Sequence, residues 1–214
     1  MPVQKNIALL LLFLSIAFAT LQAQSWQLKS DKDGVKTYYN KKQGIYEAKF
    51  VTSIETSLSG LTKLMSDVER YPMWGYKIKE AKLLKRVSDT EIYYYTRIDF
   101  PWPLDDRDFI MHSRLYQDPV TRRLESISEA VPDYIPSVPG VIRVERANSK
   151  WTMIPGPGGW IYTEYIIDSD PGGSLPDWLV NMGLEVGPRE MFKSIRDLLK
   201  DPQYRDAKLA HIKN

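Results

Sequence analysis

Short runs in which apolar and polar residues alternate fill most of the chain between residues 35 and 167, and turn residues separate them. In the clearest run, residues 46–54, the side chains of Tyr46, Phe50 and Ile54 fall on one side of an extended chain. Because side chains of a strand alternate between two faces, such runs predict strands with one buried face. The short turns between them favour antiparallel pairing. The predicted strands are residues 35–39, 46–54, 78–87, 91–99, 109–117, 122–129, 142–146, 150–154 and 160–167.

Two other stretches repeat apolar residues at the spacing of an α-helix. The shorter begins at Ser57 or Ser59, either of which fits an N-cap, and it ends before Pro72. The longer spans residues 175–199, with Ser174 as its N-cap. A helix with one apolar side must bury that side, either in the core or as a cover over an opening that the sheet leaves. The apolar side holds Leu175, Trp178, Leu179, Met182 and Val186, followed by Met191, Ile195, Leu198 and Leu199.

Helices segregated on an antiparallel sheet define the α+β class. We expect a strongly bent sheet that grips the long helix, with a pocket between the two. Leucine, methionine and tryptophan at helical spacing are ordinary core residues, which favours simple packing. Gly183 and the Gly187-Pro188 pair favour a movable cover, because glycine and a proline inside a helix weaken its hydrogen-bond ladder and permit a kink.

Composition limits the chemistry of this chain. It has no cysteine, which excludes disulfides, thiol catalysis and cysteine-ligated metals, and its two histidines are far apart in sequence. A formal net charge of +2 over 214 residues does not call for a nucleic-acid partner. The 13 tyrosines, 6 tryptophans and 6 phenylalanines suit either a core or the wall of a ligand cavity. We therefore expect a single domain without metal or cofactor, and no nucleic-acid partner.

The N-terminus has the pattern of a targeting segment. A lysine precedes an apolar run at residues 7–19, small residues follow, and polarity rises from Gln24. A basic start, a short apolar stretch and a small-residue end are typical of a secretory signal peptide. We divide the chain into a signal peptide at residues 1–23, a domain at 24–201 and a polar tail at 202–214. The protein is expected to be exported, either periplasmic or secreted; the alternative is an uncleaved N-terminal membrane anchor.

The densest group of charges is Asp105-Asp-Arg-Asp108. Its simplest interpretation is a solvated loop in which the arginine pairs with a neighbouring aspartate. A cation site or an acid–base pair of carboxylates is the alternative. His112 follows in the next strand without the serine or aspartate partner of a catalytic triad, so we interpret it as a structural residue.

Four motifs occur in a specific order along the chain. They are Asp67-Val-Glu-Arg-Tyr-Pro-Met-Trp74, Arg107-Asp-Phe109, Gly159-Trp160 and Asp170-Pro-Gly-Gly-Ser-Leu-Pro-Asp-Trp-Leu-Val-Asn181. In this order they resemble the START family of steroidogenic-acute-regulatory-related lipid-transfer domains, over residues 26–199. The resemblance implies a helix-grip fold, in which a curved antiparallel sheet surrounds a hydrophobic tunnel and the C-terminal helix covers it. It also implies binding of single lipids such as sterols, phospholipids or ceramides.

The resemblance further implies which side chains line the tunnel. On the strand that Arg107-Asp-Phe109 opens they are Phe109, Met111, Ser113 and Leu115, and on the helix they are Trp178, Leu179, Met182 and Val186. Several animal members of the family carry an arginine at the position of Ser113. We therefore expect hydroxyl groups to meet any polar part of the ligand, from Ser113, Tyr93 and Tyr95, with Arg97 beside them if that side of the strand faces inward. If it faces outward, Arg97 and Asp99 are surface charges.

The function expected from this resemblance is to bind one hydrophobic small molecule, a lipid, and to sequester or transfer it. Trp102 and Leu104 lie on a predicted loop, where they either touch a membrane or pack beneath the loop. The alternative is an enzyme that acts on a hydrophobic substrate, as related helix-grip cyclases and hydrolases do. A regulatory module with a vestigial cavity is a third possibility. The sequence shows no nucleophile–base pattern that would favour catalysis.

Overall fold

A computed structural model describes residues 26–42, 45–172 and 175–214. The signal peptide expected at residues 1–23 and the N-cap expected at Ser174 lie outside the described residues. The strands are β1 (Gln27–Lys32), β2 (Val35–Lys42), β3 (Ile45–Glu55), β4 (Ile78–Ser88), β5 (Glu91–Ile98), β6 (Asp106–Gln117), β7 (Leu124–Ala130), β8 (Val141–Arg143), β9 (Arg146–Pro155) and β10 (Trp160–Asp170). The α-helices are α1 (Leu58–Ser66), α2 (Tyr71–Trp74), α3 (Asp177–Glu185), α4 (Gly187–Leu198) and α5 (Pro202–Arg205).

The strands form one sheet in the order β1-β2-β3-β10-β9-β7-β6-β5-β4, and the pairs along this path are antiparallel. The exception to the expected antiparallel pairing is β8, which runs parallel to the first three residues of β6. The edge strand β1 was not predicted, because it is exposed along most of its length and lacks an alternating pattern. The curved sheet with its C-terminal helices confirms the α+β class and the helix-grip architecture.

The core fills one end of the concave face, where α1 packs. The hydroxyl of Ser57 accepts a hydrogen bond from the Gly60 N–H at 3.0 Å, which makes Ser57 the N-cap. Leu58, Leu61 and Leu64 of α1 are at most 1% exposed. Alternation along β3 is confirmed, since Ala48, Phe50, Thr52 and Ile54 are all buried.

The long C-terminal helix is divided in two at Val186, which ends α3 and precedes α4. Pro188 causes the break, because it has no N–H to donate to the Leu184 carbonyl and its ring crowds the preceding turn. Neighbouring bonds persist: the Val186 N–H donates to the Met182 carbonyl at 3.0 Å, and the Glu190 N–H to the Val186 carbonyl at 3.1 Å. The expected kink at Gly187-Pro188 is therefore present.

The two halves have different roles. In α4, Met191, Phe192 and Ile195 are buried in the main core, and the Phe192 ring meets the Trp151 ring edge-on at 5.8 Å. The half that α3 contributes lies over the part of the sheet that the core leaves uncovered. Packing in the core is thus correct for α4 and for Leu184 of α3, while the rest of α3 has the position expected of a cover. Of the helices that the structure describes, none combines the length and the apolar character needed to cross a membrane.

The charged group at residues 105–108 is not the solvated loop that we expected. Asp106, Arg107 and Asp108 are 8%, 3% and 0% exposed. Asp106 and Asp108 lie on the outer face of β6, where Arg97 pairs with Asp106 and the segment at residues 132–136 covers Asp108. Arg107 points to the opposite face, toward Pro171 and Gly172. The Arg143 guanidinium closes this cover with two bonds to the Asp108 carboxylate, Nε to Oδ1 at 2.7 Å and Nη2 to Oδ2 at 3.0 Å. In the described part of the chain, no three histidine or acidic side chains come together as a metal-binding group.

The segment at residues 202–214, expected to be a polar tail, packs against the domain. Tyr204 and Ile212 are 0% and 7% exposed and belong to the main core. The Tyr204 hydroxyl donates to Asp67 Oδ2 at 2.7 Å. This contact joins the C-terminal segment to the end of α1.

Replacing Arg143 with leucine is expected to lower the free energy of unfolding by about 3–5 kcal/mol, since it leaves the Asp108 carboxylate buried without its cation. Urea unfolding of the variant measures the loss. The matched control is Arg114→Leu on the same sheet, where the ion pair with Glu129 is largely exposed and is worth less than about 1 kcal/mol. Equal losses in the two variants would contradict the structural role assigned to Arg143.

The two helix glycines are expected to respond oppositely to alanine. A Cβ at Gly187 would lie 2.8 Å from Cδ1 of the Tyr76 ring, so Gly187→Ala must displace that ring and destabilise the protein by about 1–3 kcal/mol. A Cβ at Gly183 meets nothing within 4 Å, so Gly183→Ala is expected to stabilise α3 by about 0.5–1 kcal/mol through helix propensity. Thermal unfolding of both variants tests this; two changes of the same sign would contradict it.

Candidate functional site

A cavity of about 400 Å³ lies between the concave face of the sheet and α3. Its volume falls within the range of small-molecule sites, roughly 300–1,000 Å³. From the helical side it is lined by residues of α3 and of the start of α4: Leu179, Val180, Met182, Gly183, Leu184, Gly187, Pro188 and Met191. The break at Pro188 matters here, because it separates the helix that packs from the helix that covers the cavity.

Aromatic rings form the walls of the cavity. Trp151 and Tyr165, opposite each other on β9 and β10, stack at 4.3 Å between ring centroids. On the other side the Tyr71 ring contacts Trp74 and Tyr94 edge-on, at 4.8 and 5.5 Å. The walls are thus built of aromatic rings that pack against one another.

Hydroxyl groups are the main polar feature between these walls. The register places Ser113 of β6 opposite Ser128 of β7, and Ser128 opposite Ser149 of β9, so three serines lie side by side across the concave face. We call these three residues the serine row. Ser126, on the next inward position of β7, lies with its Oγ 3.2 Å from the Ser113 Oγ.

The tyrosine hydroxyls in the cavity are held in the neutral form. Burial raises the pKa of Tyr94, and a hydrogen bond with Ser128 offsets only part of that increase. Burial likewise raises the pKa of Tyr165, against a smaller opposite effect of its hydrogen bond with Ser149. The pKa of Tyr71 is raised well above its ordinary value, mainly by burial, and its hydroxyl donates to the Met65 carbonyl at 2.6 Å. The phenols therefore act as hydrogen-bonding groups without charge.

Arg107 fixes the rim where the chain enters α3. Its Nε and Nη2 donate to the carbonyl oxygens of Pro171 and Gly172, each at 3.2 Å. Its guanidinium also lies 4.6 Å from the centre of the Phe100 ring. Phe100 and Pro171 both line the cavity, so one buried arginine joins the loop after β5 to the segment that leads into the covering helix.

A backbone hydrogen bond also lies at the rim of the cavity. The Asp99 N–H donates to the Lys77 carbonyl at 2.9 Å and links the end of β5 to the turn before β4. Among the described residues that line the cavity, Lys77 and Asp99 are the ones whose side chains carry a charge, and both are exposed. Charge is thus confined to the border of the site.

Five of the predicted site residues line this cavity: Phe109, Met111, Ser113, Leu179 and Met182. Alternation along β6 and the helical spacing placed them correctly. Leu115 packs against the core beyond the main cavity and borders a smaller one. Contact of these residues with a lipid stays a prediction.

Three predicted residues, Tyr93, Tyr95 and Arg97, lie on the opposite face of β5, so placing them inside the tunnel is corrected. The Tyr93 ring stacks between His112 and Tyr134, at 4.2 and 4.5 Å. Arg97 Nε donates to Asp106 Oδ2 at 2.6 Å, outside the cavity. Here β5 is covered on both faces, so aromatic residues occur on both. The pattern of polar and apolar residues along β5 therefore does not show which face is inward.

Two helical positions also differ from the expectation. Trp178 is 54% exposed and does not line the cavity, and neither does half-buried Val186. Both fall at the edges of a broad apolar stripe, and the kink rotates the second half of the helix away from the first. The predicted apolar residues do lie on one side of the helix, but only some of them line the cavity.

The residues that the sequence did not reveal are Tyr94, Thr96, Ser126, Ser128 and Ser149. A usable signal was present. Antiparallel partners share a face, and Tyr94 pairs with Met111 while Thr96 pairs with Phe109. If Phe109 and Met111 face the cavity, their partners on β5 face it too, and so do the other even-numbered residues of that strand.

Comparison with known proteins agrees with this geometry. The START domain profile matches residues 12–204. An uncharacterized protein of Pseudomonas aeruginosa is 34% identical over 179 residues, 81% of this chain and 86% of that protein. The mouse phosphatidylcholine transfer protein is 28% identical over 182 residues, 82% of this chain and 84% of that protein. The crystal structure of a STAR-related lipid transfer protein from Xanthomonas axonopodis superposes with a TM-score of 0.74 at 29% identity, covering 82% of this chain and 99% of that one. The chain belongs to the START domain family.

Proposed function

We propose that this protein binds one lipid, or another hydrophobic small molecule of similar size, in the cavity beneath α3 and sequesters it or carries it between membranes. The observation that carries the proposal is the apolar cavity of about 400 Å³, bounded by aromatic walls and a separate covering helix. The lipid transfer proteins among its relatives support a lipid as the ligand.

The driving force is removal of the ligand's apolar surface from water, worth about 25 cal/mol per Å² before the cost of association. Leu179 and Met182 supply part of that contact from α3. Arg107 holds Pro171 and Gly172 at the rim, so entry and exit are proposed to depend on movement of α3.

Blocking the cavity tests the proposal. Met111 is 5% exposed and lines the cavity, so Met111→Trp is expected to fill part of it and abolish lipid uptake. Native mass spectrometry after exposure to a membrane lipid extract measures the stoichiometry. The wild type is expected to hold one lipid per chain. Tyr93→Trp is the matched control on the opposite face, and it should leave uptake unchanged.

The proposal fails if the wild type stays empty after exposure to the extract. Equal uptake by wild type and Met111→Trp would instead place the ligand elsewhere. Thermal unfolding of each variant confirms that a loss of uptake does not reflect a loss of fold.

Membrane contact through the loop after β5 is the second part of the proposal. Trp102 is 91% exposed, and Phe100 in the same loop lines the cavity, so the loop places an exposed indole close to the rim. Tryptophan favours the membrane–water interface. Leu104 is half-buried, which supports packing beneath the loop as well as contact at its tip.

Replacing Trp102 with alanine is therefore expected to lower binding to phosphatidylcholine–phosphatidylglycerol vesicles by roughly fivefold or more. Cosedimentation with the vesicles measures it. Val120→Ala is the control, since Val120 is 86% exposed in another turn and does not line the cavity. An equal loss in both variants, or none in either, would remove Trp102 from the membrane contact.

A further inference from the structure

The serine row is an unusual feature for a cavity with apolar walls. Ser128 of the row and the neighbouring Ser126 are 4% and 8% exposed, and Ser113 and Ser149 are half-buried, so these hydroxyls are largely removed from bulk water. Burying a hydroxyl costs free energy unless it is hydrogen-bonded. Alanine would fill the same positions on a strand without that cost, so the hydroxyls require another explanation.

The hydrogen-bonding capacity of the row is only partly used. Each hydroxyl offers one donor and two acceptor sites. Ser113 interacts with Ser126, Ser128 with Tyr94, and Ser149 with Tyr165, which accounts for one side-chain partner each among the residues that the structure describes. Donors and acceptors therefore remain available on the face that lines the cavity.

The row also lies away from formal charge. Of the described residues that line the cavity, Lys77 and Asp99 carry charged side chains, and both are exposed at the rim. A carboxylate or ammonium group placed against the row would be buried without a counter-charge, which costs far more than burying a neutral group. A neutral hydroxyl or carbonyl can instead exchange its bonds with water for bonds with the serines.

We propose that the serine row binds a neutral hydroxyl or carbonyl group of the ligand, so that the protein selects lipids whose buried polar group is uncharged. This inference rests on the proposed function and narrows it to a chemical class. Ser113, Ser128 and Ser149 determine the specificity, and a charged group, where a ligand has one, must remain at the rim near Lys77 and Asp99.

Probes that share one alkyl chain test the inference. Tetradecanol, tetradecanoate and tetradecylammonium differ in the charge of a single end group, and pentadecane replaces that group with methyl. Displacement of Nile red from the full chain at neutral pH gives their relative affinities. Tetradecanol is expected to bind at least roughly tenfold more tightly than either ion, because only it can be buried without a counter-charge.

Serine substitutions then locate the effect. In Ser128→Ala the ratio of tetradecanol to pentadecane affinity is expected to fall by roughly fivefold to tenfold, the loss of one hydrogen bond, while pentadecane affinity is unchanged. Ser113→Ala provides a second variant in the same row. Ser53→Ala, at an exposed position on β3, is the control and should leave the ratio at its wild-type value.

The outcomes distinguish a failure of this inference from a failure of the proposed function. If no probe displaces Nile red and none binds by native mass spectrometry, ligand binding in the cavity is itself wrong. If the probes bind but an ion binds as well as the alcohol, the selection of neutral groups is overturned and the cavity keeps its role. An unchanged affinity ratio in both serine variants would also overturn it.

Discussion

A missing backbone hydrogen bond at Pro188 governs how this fold divides its interior. Because Pro188 cannot donate to the Leu184 carbonyl, the helix bends, and its two halves follow different parts of the curved sheet. The second half packs Phe192 and Ile195 into a dense core, while the first half bridges the remaining concavity and leaves it open. The cavity is thus a consequence of helix geometry as much as of sheet curvature.

Charge is arranged around this cavity so that stability and binding do not compete. The start of β6 alternates in the usual way, and Asp106 and Asp108 use its outer face for ion pairs with Arg97 and Arg143. Arg107, between them, turns the other way and holds the rim. Burial raises the pKa of Asp106, but the Phe100 N–H, Arg97 and Lys79 outweigh it and leave that pKa below its ordinary value. The charges that stabilise the fold therefore stay outside the cavity.

Much of this arrangement follows from the sequence, and the exceptions share a physical cause. The strands, the helices and the inward face of β6 are local properties. The spacing of apolar and polar residues along the sequence therefore reveals them directly. The face of β5 is not local, because the segment that carries Tyr134 covers its outer side and both faces need apolar residues. The burial of Asp108 depends on Arg143, 35 residues further along the chain. The serine row exists only through the register of three strands, so no single stretch of sequence displays it.

Under the proposed function, the divided helix also makes the ligand part of the folding energetics. Without a ligand, Leu179 and Met182 of α3 face a cavity that the protein cannot fill, so this half of the helix gains less from burial than α4 does. A ligand that occupies the cavity supplies the missing contacts and stabilises the folded state by about 2.7 kcal/mol at a concentration 100 times its dissociation constant. If α3 moves as proposed, the ligand has to contact it more extensively in the closed form, since a molecule with equal affinity for the open and closed forms would shift neither.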